Sequence, residues 1–303
     1  MTEALDPHAK RFLDMLTLKG GDVARLGIAE RRMAFANLMR FSAPGFENVA
    51  VETLQGGRPI RLYRPQEGSS TGIVFLHGGG LVAGSLDTHD PFCRTLAATT
   101  RCSVFAVDYR LAPEHPFPAA LEDACDALDW VFRWAQDYDL GRIGIGGDSA
   151  GGTLAAVAAA QWGARESEPL AFQLLLCPIL DFAGETKSRR VFASAILDQA
   201  TLDHDIALYT AGKVERGDPR ISPLRAMRFS DLPPTFLHVA QCDPLRDEEA
   251  AYAERLRAAG VELHQTFHAG MPHLFYALSG IIPAAKAAVT MIGTGLADWL
   301  AQS

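Results

Sequence analysis

The chain has little of what marks several common protein classes. Its five cysteines, Cys93, Cys102, Cys125, Cys177 and Cys242, are odd in number and form no C-x-x-C pair. That spacing excludes a zinc-binding thiol motif or a dithiol redox motif and leaves small reduced core residues of a cytoplasmic protein. Positive charge is scarce: 28 Lys and Arg stand against 36 Asp and Glu, a formal net charge of −8. Binding a phosphate backbone needs clustered Lys and Arg, so no nucleic-acid partner is expected. No uncharged apolar run reaches the roughly 18 residues of a membrane span. The N-terminal MTEALDPHAKRF also lacks the apolar core of a signal peptide. Internal repeats and low-complexity tracts are missing as well.

What remains is an ordinary globular composition, 48% hydrophobic and 21% charged over 303 residues, long enough for one large core. NVAVETL and PIRLYRP, within residues 48–65, read as a hairpin turning at Gly56 and Gly57. GIVFLH, SVFAVDY, RIGIGG, FQLLLCP, TFLHVAQ and ELHQTFH follow as further strands. Several are continuously apolar, as in a parallel sheet buried on both faces. Between them lie helical stripes, one at Leu121, Cys125, Leu128 and Phe132, another at Val289, Ile292, Leu296 and Trp299. The alternation predicts an α/β fold with a mostly parallel sheet. Two stretches interrupt it. Residues 1–45 read as helices with charged faces. Residues 181–222 hold a charged loop, GETKSRR, and a helix near Gln199 to Gly212. Both are expected to cover one end of a core formed by residues 46–180 and 223–303, where loops at strand ends carry function.

Two glycine-rich stretches carry the chemistry. RIGIGGDSAGGTLAAVAAA places Ser149 at the centre of a G-x-S-x-G match, Gly147 to Gly151, with a strand before it and a small-residue helix after it. This is the pattern of a nucleophile elbow, a strained strand-to-helix turn that lifts a serine hydroxyl above the strand ends. A hydroxyl needs a base, and the base needs an orienting acid. In chain order Ser, acid, His, the base falls on His273 in HAGMPHLF, after the last strand. The acid falls on Asp243 at the end of TFLHVAQC, with Asp247 a second candidate inside a helix's first turn. His204, His238, His264 and His268 lie in the covering stretch or on strands. The second stretch is FLHGGGLVAGS. Gly78 to Gly80 can bring main-chain N–H groups close to a substrate because no Cβ intervenes, and the Ala150 N–H adds another donor. A phosphate-binding loop is the rival reading, but the Lys-Ser/Thr ending and the G-x-G-x-x-G context are absent.

In order along the chain, HGGGLVAG, DYRLAPEHPFPAALEDA, GGDSAGG, CDPLRDEE and GMPHLF resemble the bacterial hormone-sensitive-lipase family of esterases, over roughly residues 48–303. The resemblance implies an α/β-hydrolase fold of about eight strands with a helical cap and no cofactor or metal. It implies cleavage of carboxylic esters with short or medium acyl chains. Carried over by position, Ser149 is the nucleophile, Asp243 the orienting acid and His273 the base. Gly79, Gly80 and Ala150 are the oxyanion donors, and His77, Gly78 and Asp148 are supporting residues. Tyr109 to Glu114 match a signature that braces the loops near the site. GMPHLF departs from the family, which more often has an aliphatic residue before the histidine and glycine after it. Here Pro272 stiffens the loop and Leu274 adds bulk. Leu81, Val82, Phe182 and Leu274 are candidate pocket residues. An amidase or peptidase on the same scaffold, or a non-catalytic small-molecule receptor, would share most of these features. A homodimer through an edge strand is a further expectation.

Overall fold

The computed structural model describes residues 4–19, 23–164, 168–194 and 196–303. After two helices, α1 (Pro7–Lys19) and α2 (Ile28–Met39), the chain enters the hairpin β1 (Val49–Gly56) and β2 (Arg58–Pro65). Their register pairs Gly56 with Arg58 around Gly57. Then follow β3 (Thr71–Leu76), α3 (Leu86–Thr100), β4 (Ser103–Val107), α4 (Ala119–Arg133), β5 (Arg142–Asp148), α5 (Ala150–Gly163) and β6 (Gln173–Leu176). Next come α6 (Lys187–Val191), α7 (Gln199–Thr210), β7 (Thr235–Cys242), α8 (Arg246–Ala258), β8 (Leu263–Pro272) and α9 (Pro283–Leu300).

The eight strands form one sheet in the order β1-β2-β4-β3-β5-β6-β7-β8. Only β2 runs against its neighbours. β3, β4 and β6 are buried at every position, as expected of strands with helices on both faces. Helix α3 packs on α9, and α4 on α5. The small side chains of AGGTLAAVAAAQWG let α5 sink into the core, where most of it is buried.

Three expectations are corrected in detail. In α4, Leu121 and Leu128 are buried but Cys125 and Phe132 only half so. The inward face also takes Ala120, Ala124, Ala127 and Val131, because alanines hide in the contact without standing out as a stripe. The charged GETKSRR is not all loop. Thr186 caps α6 by accepting from the Arg189 N–H, and Arg189 is buried. The last strand runs on past His268 to Pro272, leaving His273 immediately beyond its end. Of the stripe in α9, Val289, Ile292 and Leu296 are buried as their spacing predicts, while Trp299 is half-buried.

Candidate active site

Ser149 sits between β5 and α5 with φ 51° and ψ −120°, a left-handed conformation that costs a non-glycine residue about 1–3 kcal/mol. Close packing holds the turn. A Cβ at Gly151 would lie 2.1 Å from the Leu76 carbonyl oxygen of β3, so only glycine lets the elbow approach that strand. The Ser149 N–H donates to the Leu176 carbonyl at 2.8 Å. The hydroxyl thus stands at the positive end of α5, where developing negative charge is favoured.

His273 Nε2 lies 3.0 Å from Ser149 Oγ, and its Nδ1 lies 2.8 Å from Asp243 Oδ2. Asp243 Oδ1 accepts from the Leu245 N–H at 2.8 Å. Asp243 and His273 are buried, at 0% and 2% exposure. Asp247, the second candidate acid, is engaged elsewhere: its Oδ2 accepts from the Ser188 N–H. His238 and His268 face one another inside the sheet, Nδ1 to Nε2 at 3.1 Å. Cys177 is drawn into the same neighbourhood, its Sγ falling with the ligating atoms of Asp243 and His273 within 4.8 Å. Burial pushes that thiol well above its ordinary value, so it is protonated. Asp243 and His273 are spent on each other.

The glycine loop lies opposite. Gly79 and Gly80 have φ +121° and +69°. Among the described residues their N–H groups donate to nothing in the protein. Ala150 is the first residue of α5, where an N–H has no intrahelical acceptor. Asp148 ties the three parts of the site together. Its Oδ1 accepts from the Gly78 N–H at 2.9 Å, and its Oδ2 accepts from the Tyr276 hydroxyl, three residues past His273. Burial alone would raise this carboxyl, but His89 and the Tyr276 hydroxyl outweigh it and hold it below its ordinary value. His77 stacks on Tyr109, ring centres 4.3 Å apart. Burial, helped by His89, presses the His77 pKa down to about 3, so the ring is neutral. The Tyr109–Glu114 stretch does brace the loops. The Tyr109 hydroxyl donates to the His77 carbonyl, the Ala112 N–H to the Leu81 carbonyl, and Glu114 takes both guanidinium arms of Arg32 from α2.

A cavity of about 290 Å³ opens over Ser149, His273, Gly79 and Gly80. Its walls come from α1, α2, Val23 and Leu26 between them, and from residues 196–205. Phe182 and Leu274 line it. Leu81 and Val82 do not, being buried in the core behind the loop. Leu274 takes φ +59°, the conformation a glycine would hold without strain. The sequence reading missed Arg31 and Asp205, buried in this wall and paired Nη2 to Oδ2 at 2.9 Å. It also missed Arg189 and Glu248, paired at 2.6 Å beneath the Asp243 loop. The available signal was a charge within each helix's apolar positions, but the partners stand far apart in sequence.

The family description "alpha/beta hydrolase fold" matches residues 73–277. Among curated proteins, the chain is 37% identical over 250 residues to an ethyl acetate hydrolase of Pseudomonas putida, covering 80% of this chain and 79% of that one. It is 39% identical over 249 residues to carboxylesterase NlhH of Mycobacterium tuberculosis, covering 79% and 76%. It is 43% identical over 230 residues to carboxylic ester hydrolase LipN of the same organism, covering 73% of this chain but 61% of that longer relative. Among solved structures, an ester hydrolase from the metagenome of Lake Arreo superposes with TM-score 0.91 at 34% identity, over 98% of this chain and 99% of that one. A hyperthermophilic esterase from Pyrobaculum calidifontis gives 0.90 at 33%, over 98% and 99%. The chain belongs to the α/β-hydrolase family, in its hormone-sensitive-lipase-like group of carboxylic ester hydrolases. No described helix is long and apolar enough to cross a membrane.

Proposed function

We propose that the chain is a serine carboxylesterase acting on short-to-medium acyl esters through an acyl-enzyme. The observation that carries this reading is the unbroken relay Ser149 Oγ, His273, Asp243, with Ser149 and His273 opening into the cavity beside Gly79 and Gly80. His273 Nε2 takes the hydroxyl proton as Ser149 Oγ bonds to the ester carbon. Asp243 keeps Nδ1 protonated and the ring in place, and favours the imidazolium. The carbonyl oxygen becomes an oxyanion, held by the N–H groups of Gly79, Gly80 and Ala150. As the tetrahedral adduct collapses, the C–O bond to the alcohol breaks and Nε2 returns its proton to that oxygen. Water then attacks the acyl carbon, gives its proton to Nε2, and the acid leaves as Ser149 recovers the proton.

Residues 1–45 and 181–222 act in this reading as the cap that selects the acyl group, since residues from both line the cavity. Its mainly hydrocarbon wall and modest volume suit short and medium chains. Ser149→Ala is expected to reduce turnover of p-nitrophenyl butyrate on the order of 10⁶-fold, as loss of a triad nucleophile does elsewhere, with an unchanged unfolding midpoint. Full turnover by that variant would overturn the assignment.

A further inference from the structure

Arg31 on α2 and Asp205 on α7 are 174 positions apart, yet they meet in the wall of the Ser149 cavity. Both are more than nine-tenths buried, at 8% and 5% exposure. Around them the wall is hydrocarbon, with Ala34, Phe35, Leu38 and Leu202 nearby in sequence and facing the same space. The pair is under-satisfied. Only Nη2 of the guanidinium meets an acceptor among the described residues, while Nε, like Asp205 Oδ1, is buried and bare. The pair also borders the oxyanion loop: a Cβ at Gly80 would come 2.0 Å from Asp205 Oδ2.

A buried guanidinium with spare donors is costly beside a purely hydrocarbon occupant, because its N–H groups are stripped of water and given nothing in return. It is well matched to an occupant that brings an acceptor. We infer that the preferred ester carries a second, uncharged oxygen a few bonds from the scissile carbonyl, and that this oxygen accepts from Arg31. Asp205 already neutralises the guanidinium and would repel a carboxylate, so the acceptor is a hydroxyl, ether or carbonyl. This rests on the reading of Ser149 as an esterase nucleophile and goes beyond it by naming a substrate class. Arg31 then acts as a specificity-determining residue, and Asp205 positions it.

The test uses two isosteric pairs of substrates on the wild-type chain. Ethyl 3-hydroxyhexanoate against ethyl 3-methylhexanoate puts the oxygen on the acyl side. 3-Hydroxybutyl butyrate against 3-methylbutyl butyrate puts it on the alcohol side. Monoethyl adipate supplies a carboxylate. In at least one pair the oxygenated ester is expected to lead by roughly tenfold or more in kcat/KM, since a site built to hydrogen-bond a group discriminates strongly against its absence. In Arg31→Met/Asp205→Asn that ratio collapses to within about twofold of one. Ratios near one for both wild-type pairs, a ratio retained by the double variant, or a lead for the adipate monoester would each overturn the inference. The wild-type ratios stand whether or not the double variant folds. Turnover of the methyl-branched esters without any preference removes this inference alone. No turnover of any ester, with no fluorophosphonate labelling of Ser149, removes the reading of the site as well.

Discussion

Ser149, Asp243 and His273 are legible in the sequence because each sits in a local pattern: an elbow, a strand end, a loop after a strand. The structure brings those three together and leaves Asp247 aside. The residues that escaped notice are those whose meaning depends on a distant partner, such as Arg31 with Asp205. No spacing rule joins positions so far apart. Gly80 belongs to both groups. Its place in the glycine run is legible, but its second constraint, contact with Asp205, is not. At φ +69° and with Asp205 2.0 Å from any added Cβ, Gly80→Ala must both strain and shift the loop. The expected result is a fall in kcat of about 10²–10³, the cost of losing one oxyanion donor. A lower unfolding midpoint should accompany it. Steady-state kinetics on p-nitrophenyl butyrate with a thermal melt checks both, and an unaltered kcat would count against the loop's role.

The parallel strands and helices such as α4 and α9 are foreseeable because their apolar runs and stripes are strong signals over many residues, whereas α3, with Pro91 inside it and polar residues interleaved, carries no such stripe and is absent from the sequence reading. Nor is short α6 foreseeable. Five residues carry too little periodicity, and KSRRV looks like a solvent-facing run. What makes it a helix is tertiary. Arg189 reaches down to Glu248 Oε2 and to the Asp181 and Gly184 carbonyls, while the Ser188 hydroxyl donates to the Pro244 carbonyl. These bonds fasten the 181–191 segment to the loop that carries Asp243. Burial drives the Glu248 carboxyl up to about 7, with Arg189 opposing. Removing one member of a buried pair leaves an uncompensated charge and costs about 3–5 kcal/mol, whereas removing both is far milder. Arg189→Met is therefore expected to destabilise by about that amount at pH 8, and Arg189→Met/Glu248→Gln to recover most of it. Urea denaturation of the two variants measures the difference. Equal losses in both would contradict the pairing argument.

Taken together, the molecule hides several histidines that do not face the bond to be cut. Burial lowers His238 to about 3, helped by its neighbour His268, and lowers His268 to about 4. His77 falls to about 3 for the same reason, with His89 adding to it. In the unfolded chain these rings titrate near 6.5. Below that pH the unfolded state takes up protons that the folded state refuses. Stability is therefore unaffected by these rings above pH 6.5, declines progressively as pH falls below it, and levels off only where the folded rings themselves take protons, near 4 to 3. His238→Gln should flatten that decline. Between pH 7 and 4.5 its unfolding free energy is expected to drop less than the wild type's by about 2–3 kcal/mol. Parallel profiles would show that the ring is free to charge in place. The cavity has a different consequence. Its reactive floor is built by strand ends and tight turns of the sheet, while most of its sides are lent by helices near residues 7–39 and 196–205. Under the proposed reading, recognition and bond cleavage are thus written in largely separate paragraphs of the same text, joined at one word, where Asp205 of α7 meets the glycine loop at Gly80.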